Sequence, residues 1–230
     1  MVAILPMLCS AAQDTLSLQR IWEIIDVDSC PHQYNFHMHT VASDGKLTPL
    51  ELVQQALSIG LKGLAITDHH SINGYQQAQT YLNQLKQKNP IHQLKLWTGV
   101  EITACLLAVD VHILGFAFDP QHPALNNYLQ GSSPSGKDAE AKKVIDSIHQ
   151  AGGLAVLAHP HRYRRSAKEL IPLAAKLGVD GVEAYYAYGN PFPWRPTPKK
   201  TEEIIQLASD YNLYTTCGTD THGLSLLQRV

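Results

Sequence analysis

The sequence predicts one α/β domain, a small and slightly incomplete barrel of seven strands, preceded by a helical extension. Three observations carry this prediction. From residue 34 onward, short apolar runs of β character alternate with helical stretches, a pattern that builds a parallel sheet covered by helices. No glycine-rich turn follows the first strand, which favours a barrel over an open dinucleotide-binding sheet. Finally, six of the 12 histidines fall at or just past the C-terminal end of a predicted strand, the edge where parallel β/α folds carry their chemistry.

Residues 1–33 read as the extension, with Ile21, Trp22, Ile24 and Ile25 as its apolar contacts. The apolar opening Met1–Ser10 has no basic flank and is broken by Pro6, so it does not read as a secretory leader. The barrel is assigned to residues 34–230. Its first strand spans Tyr34–His39. Thr48, Pro49 and Glu51 form a helix start, with Thr48 as N-cap, Pro49 in the first turn and Glu51 closing a capping box. Leu50, Val53 and Leu57 give that helix an apolar face, and Gly60 is placed to stop it. Gly63–Thr67 is a buried strand and Tyr75–Gln87 a helix. Two strands, about Leu94–Ile102 and Asp110–Phe118, follow with little between them.

The alternation then resumes with a helix over Asp138–Gln150 and a strand over Leu154–Ala158. Ser166 and Glu169 form a second capping box, with Leu170, Leu173 and Leu177 inside and Gly178 as the stop. Gly181–Tyr185 is the sixth strand. A proline-rich loop, Asn190–Pro198, leads to a helix ending near Asp210, and Leu213–Cys217 is the seventh strand. Gln130–Gly136 reads as the flexible segment.

The composition narrows the function. Eighteen Lys and Arg against 20 Asp and Glu give a net charge of −2, so no large nucleic-acid surface is expected. No apolar run approaches a membrane span. The four cysteines form no zinc-site or disulfide pattern, which reads as reduced thiols in the cytoplasm.

The histidines at the strand ends are His37, His39, His69, His112, His159 and His222, joined by Asp44, Glu101 and Asp220. His37 and His39 project from one face of a strand because side chains alternate. Scattered core histidines have no reason to choose one edge of several strands. Six imidazoles and three carboxylates exceed what one ion needs and fit two or three divalent metals. Mixed nitrogen and oxygen ligation without thiolate suits Zn, Mn or Fe.

His37-x-His39-Thr40 with Ser43-Asp44-Gly45, Ile66-Thr67-Asp68-His69, Gly99-Val-Glu101, His112-Ile-Leu-Gly115, Ala158-His159-Pro160 and Gly218-Thr-Asp220-Thr-His222-Gly223 resemble the ordered motifs of the PHP (polymerase and histidinol phosphatase) family. The resemblance runs from about residue 34 to 223. It implies a distorted seven-stranded (β/α)7, TIM-like barrel with a trinuclear site and phosphoesterase activity. Carried over by position, His37, His39, Glu101, His159 and Asp220 hold the two-metal core, with Glu101 bridging. Asp44, His69, His112 and His222 complete the set. Asp44 stands where some branches have His, which brings the chain nearest the nucleoside-bisphosphate phosphatases and 5′-to-3′ oligoribonucleases. The cap that such phosphatases insert is mostly missing, since about forty residues separate Phe118 from His159.

The expected reaction is in-line attack on phosphorus by a hydroxide bridging two ions, with Glu101 and Asp220 as the central carboxylates. Arg162 is expected to grip phosphate with its planar fork, while Arg164 and Arg165 read as a solvated helix turn. His70 either contacts substrate and gives a proton to the leaving oxygen or orients a neighbouring ligand. Asp68 and Glu183 read as supporting residues. The aromatic loop Tyr185–Pro198 offers either a base-stacking platform or a stiff rim packed on the barrel. The expected substrate is a small phosphorylated metabolite, a nucleotide or a short oligonucleotide end. The alternatives are an amidohydrolase-type metal enzyme and a non-catalytic metal-binding regulatory module.

Overall fold

The computed structural model describes residues 13–88 and 94–230; the apolar opening Met1–Ser10, with Cys9, lies outside them. Helix α1 (Thr15–Trp22) is capped by Asp14, whose Oδ1 accepts from the Ser17 N–H at 3.0 Å. Leu18 and Trp22 are buried. Trp22 sets its ring edge-on against Phe36 and Phe116, with centroids 6.2 and 5.5 Å apart. Ile25 is buried as expected, but Ile24 faces solvent.

Strand β1 (Tyr34–Asn35) is shorter than expected, and the chain meets the sheet again only at Met38, as an isolated parallel bridge to Thr221. Helix α2 (Pro49–Ile59) has its capping box in place, and Gly60 ends it in the left-handed conformation. Its buried face is Leu52, Val53 and Ala56 rather than Leu50, which is exposed. Strand β2 (Gly63–Ala65), helix α3 (Asn73–Lys88) and strand β3 (Lys95–Trp97) complete a parallel three-stranded sheet, β1-β2-β3.

The single strand expected over Leu94–Ile102 divides at Thr98, whose hydroxyl donates to the Phe118 carbonyl at 2.8 Å. Beyond it, β4 (Gly99–Leu106) and β5 (Val109–Phe116) form an antiparallel hairpin. Leu107 and Ala108 alone connect them, both at positive φ. A two-residue link cannot join parallel strands, which need a crossover, so the sheet is mixed. β5 also pairs antiparallel with β6 (Leu154–Leu157), after helix α4 (Ala141–Gln150). Helix α5 (Ala167–Leu177) carries the second capping box, and strand β7 (Gly181–Tyr185), helix α6 (Pro198–Asp210) and strand β8 (Tyr214–Cys217) follow. Pairs β6-β7 and β7-β8 are parallel. The fold is thus mixed α/β, with a three-stranded and a five-stranded sheet among the described residues.

Two isolated parallel bridges link these sheets, Met38 to Thr221 and His69 to Glu101. Their backbone bonds include His39 N–H to the Thr221 carbonyl at 3.0 Å and His70 N–H to the Glu101 carbonyl at 3.0 Å. Burial follows strand alternation on β2: Leu64 and Ile66 join a smaller core with α2 and α3, whereas Ala65 joins the larger core of the second sheet. Both seams run through the histidine-rich edge.

Candidate metal centre

The chain delivers the expected residues to one place, with two differences of route. Glu101 is the third residue of β4 and not near its C-terminal end. His112 lies in the first half of β5, not at its C-terminal end. Because β5 runs antiparallel to β4 and β6, its opening half shares an edge with their neighbours' ends. His159 follows β6 at φ 26°, and Asp220 follows β8 at φ 53°, strained conformations for non-glycine residues that occur at functional sites. Gly218 lets that last segment approach: a Cβ there would sit 2.2 Å from the His37 Cβ and 2.7 Å from the His37 amide nitrogen.

Glu101 is the centre. Its Oε1 lies 2.6 Å from His112 Nδ1 and 3.3 Å from His159 Nε2. Its Oε2 lies 3.0 Å from His37 Nε2, 3.0 Å from His39 Nε2 and 3.6 Å from His69 Nε2. Asp220 Oδ1 stands 3.4 Å from His37 Nε2 and 3.2 Å from His39 Nε2. Asp44 is exposed at the rim, with Oδ2 3.2 Å from His222 Nε2 and 3.8 Å from His69 Nε2. All nine sequence-selected residues therefore meet, in overlapping groups whose ligand atoms lie within 4.8 Å of one another: His37, His39, Glu101 and Asp220; His39, Asp44, His69 and His222; and His69, Glu101 and His112. His159 joins them through Glu101 and through a further group with His37 and Glu183.

The donor set fits divalent ions. His39 is wholly buried, yet among the described residues neither ring nitrogen has a hydrogen-bond partner, although carboxylate oxygens lie 3.0 and 3.2 Å from Nε2. A buried polar atom with neighbours at that range but no hydrogen-bond geometry is a costly arrangement. It becomes favourable when the nitrogen and oxygen lone pairs converge on a shared cation.

Supporting residues fix this geometry. Glu183 is wholly buried; its Oε1 accepts from His37 Nδ1 at 2.9 Å and its Oε2 from the His159 N–H at 2.9 Å. That bond turns His37 Nε2 toward Glu101, the role of a carboxylate behind a metal-binding imidazole. Asp68 accepts from the Thr40 N–H, the Thr40 hydroxyl and the Ser43 hydroxyl, each at 2.7 Å, so it shapes the turn that presents Asp44. Tyr163 donates to the Ala158 carbonyl and accepts from the His112 N–H at 2.8 Å.

The electrostatics divide the imidazoles. Burial opposes charge on His37, but Glu183, Glu101 and Asp220 outweigh it and hold its pKa well above the usual range. Burial likewise opposes charge on His39, yet Asp220 and Glu101 raise it to about 9. Burial pushes His69 down to about 4 and lowers His70, His159 and His222. Burial would raise Glu101, but His37 and His112 bring it well below the carboxylate norm.

The remaining residues are placed as follows. His70 is buried at φ 51°, with Nε2 3.2 Å from the Thr103 hydroxyl and 3.3 Å from the Ser133 hydroxyl. Its carbonyl accepts from the Gly131 N–H at 2.9 Å, so the segment expected to be flexible docks beside the site. Arg162 donates from Nη1 to Asp220 Oδ2 at 2.7 Å. Arg165 pairs with Glu169 on α5, a surface contact. The aromatic loop packs as a rim: Tyr185, Tyr186 and Trp194 are buried and Phe192 projects. Sequence reasoning missed Arg229, whose Nε donates to Asp220 Oδ2 at 2.8 Å, and the Tyr186 hydroxyl, which donates to the same oxygen at 2.7 Å.

A family model, the PHP domain, matches residues 35–215. The chain belongs to the PHP family. Among curated PHP relatives, a 5′-3′ exoribonuclease of Haemophilus influenzae is 25% identical over 260 aligned positions, covering 83% of this chain and 90% of the relative. A 3′,5′-nucleoside bisphosphate phosphatase of Chromobacterium violaceum is 30% identical over 118 positions, covering 51% of this chain and 39% of that protein. Among solved structures, a Bifidobacterium adolescentis protein assigned as a metal-dependent phosphoesterase superposes with a TM-score of 0.66 at 26% identity, over 84% of this chain and 89% of that one.

Proposed function

We propose that this chain is a metal-dependent phosphoesterase that holds two or three divalent ions, Mn, Zn or Fe, among His37, His39, Asp44, His69, Glu101, His112, His159, Asp220 and His222. The observation that carries the reading is the Glu101 carboxylate, with five imidazole nitrogens within 2.6–3.6 Å of its two oxygens. When bound, such ions supply positive charge for the phosphate oxygens and a nucleophile from water at neutral pH. The chain's residues do the rest. Glu101 is the shared carboxylate that sets the spacing, with Asp220 beside His37 and His39 and Asp44 beside His69 and His222. Glu183 holds His37 in the tautomer whose Nε2 faces the site. Arg162 stands beside Asp220, within reach of a phosphate oxygen. Burial keeps His70 neutral, and its contacts with Thr103 and Ser133 support the orienting role over proton transfer.

The relatives favour a nucleotide or oligonucleotide end as substrate, and the exposure of Asp44 with the part-open His69, His112 and His222 suits an approaching phosphate. The seam bridges support reading residues 34–230 as a distorted seven-stranded barrel, with β3 and β4 as one bent strand and residues 1–33 as an extension. Three free thiols, Cys30, Cys105 and Cys217, favour a reducing cytoplasm; no described helix is long and apolar enough to cross a membrane.

The test is phosphate release from nucleotides, nucleoside bisphosphates, short oligonucleotides and sugar phosphates with each metal, alongside metal counts by mass spectrometry. Glu101→Gln and His37→Ala are each expected to abolish turnover and lower the metal count while leaving circular dichroism intact. Wild-type rates in either metal-loaded variant would reject the site; no hydrolysis of any ester by fully loaded protein would reject the function.

A further inference from the structure

Asp220 faces two ways. Its Oδ1 points to the imidazoles of His37 and His39, while its Oδ2 accepts from Arg162 Nη1 at 2.7 Å, the Tyr186 hydroxyl at 2.7 Å and Arg229 Nε at 2.8 Å. Two guanidinium groups thus share one carboxylate oxygen, and that carboxylate's single negative charge is also committed to the histidines behind it. The Oδ2 flank carries surplus positive charge. Both arginines keep part of their surface open, 37% for Arg162 and 26% for Arg229. Arg229 spends its inner nitrogen on Asp220 and also hydrogen-bonds Tyr186, and a guanidinium with five N–H donors keeps others for a further acceptor.

Both arginines line a cavity of about 160 Å³, together with Tyr186, Tyr188 and Asn190. No carboxylate is among its described lining residues. The space is large enough to admit a tetrahedral oxyanion. We infer that Arg162 and Arg229 form a two-guanidinium clamp for a phosphate group of the substrate in this cavity, with Arg229 as the specificity-determining residue. Paired planar forks are suited to phosphate oxygens in a way a lysine is not.

The tail holds Arg229 there by its backbone. The Arg229 carbonyl accepts from the N–H groups of His222 and Gly223 at 2.6 and 3.2 Å, and the Thr221 hydroxyl donates to the Gln228 carbonyl at 2.7 Å. A side-chain change at 229 leaves this clasp intact, and because Arg229 also touches Asp220 the metal content is read beside phosphate binding.

The clamp rests on the phosphoesterase reading, and its test keeps the two apart. Inorganic phosphate is titrated calorimetrically into the full, Mn-loaded chain, with metal content measured on the same samples. Arg229→Gln is expected to weaken phosphate about tenfold, the scale of one charge-assisted pair, with unchanged metal content. Arg229→Lys should recover only part of the loss. On a hydrolysed ester, Arg229→Gln should raise KM more than it lowers kcat. Equal phosphate affinity in wild type and Arg229→Gln, or a loss that appears only in step with lost metal, would overturn the clamp. Because phosphate binding is read directly, a protein that hydrolyses no ester would reject the function and leave this measurement standing on its own.

Discussion

Glu183→Gln is the sharpest test of how the site is held. The substitution keeps the shape and removes one charge. Glu183 accepts two hydrogen bonds, from His37 Nδ1 and the His159 N–H, both at 2.9 Å in a wholly buried setting. A glutamine has one oxygen, so one of those buried donors must face an NH₂ group. A buried donor left unpaired costs about 1–3 kcal/mol. Loss of a carboxylate behind a metal-binding histidine lowers metal affinity about 10–100-fold, or about 1.4–2.7 kcal/mol, so the two routes agree. A compensating effect has the opposite sign. Glu183 is one of the groups that raise the His37 pKa; without it, protons compete less for His37. The loss of affinity should therefore be larger at pH 9 than at pH 7. Chelator-competition titration with Mn at both values reads this directly. An affinity within twofold of wild type at pH 9 in a folded variant would refute the argument.

Two further outcomes are expected. His37 and His39 both carry raised pKa values, His39 at about 9, so metal uptake near neutral pH must release protons and strengthen as pH rises toward 9. Calorimetry in buffers of different ionisation enthalpy measures the count, and release of no protons at pH 7 would contradict the electrostatics. Gly218→Ala places a methyl 2.2 Å from the His37 Cβ and 2.7 Å from the His37 amide nitrogen, so relief requires the His37 backbone to move. Stability in urea should fall by at least the ~1–3 kcal/mol of ordinary overpacking, with metal affinity falling alongside, whereas a wild-type midpoint would show that the segments have room to part.

Local chemistry made much of this legible in advance. The two capping boxes and their left-handed glycine stops lie where Thr48, Glu51, Ser166 and Glu169 placed them, because each depends on residues within one turn. The nine cluster residues were picked out by residue type and placement near predicted strand ends, although the structure sets Glu101 and His112 in the opening halves of β4 and β5 and Asp44 in a turn. The hairpin was not, since antiparallel pairing of β4 and β5 depends on a two-residue link that composition does not mark. The face of α2 was misread because Ala56, small and wholly buried, was not counted, while Leu50 was. Arg229 carried no signal at all. Its reach depends on a tail that turns back onto His222, a contact made by backbone atoms that any residue possesses.

The seams between the two sheets have a mechanical consequence. His37, His39 and His69 belong to the three-stranded side, whereas Glu101, His112, His159, Asp220 and His222 belong to the five-stranded side; the three-stranded side gives Phe36, Ala65 and Trp97 to the larger core and Leu64, Ile66 and Leu96 to the smaller one. Between them run isolated bridges in place of full ladders. Any ion held by His39 together with Glu101 and Asp220 acts as a rivet across that joint. Loading then tightens the joint, so amide exchange at His39, His70 and Asp220, whose N–H groups donate across it, becomes a gauge of occupancy, and catalytic competence and the cooperativity of unfolding rise and fall together.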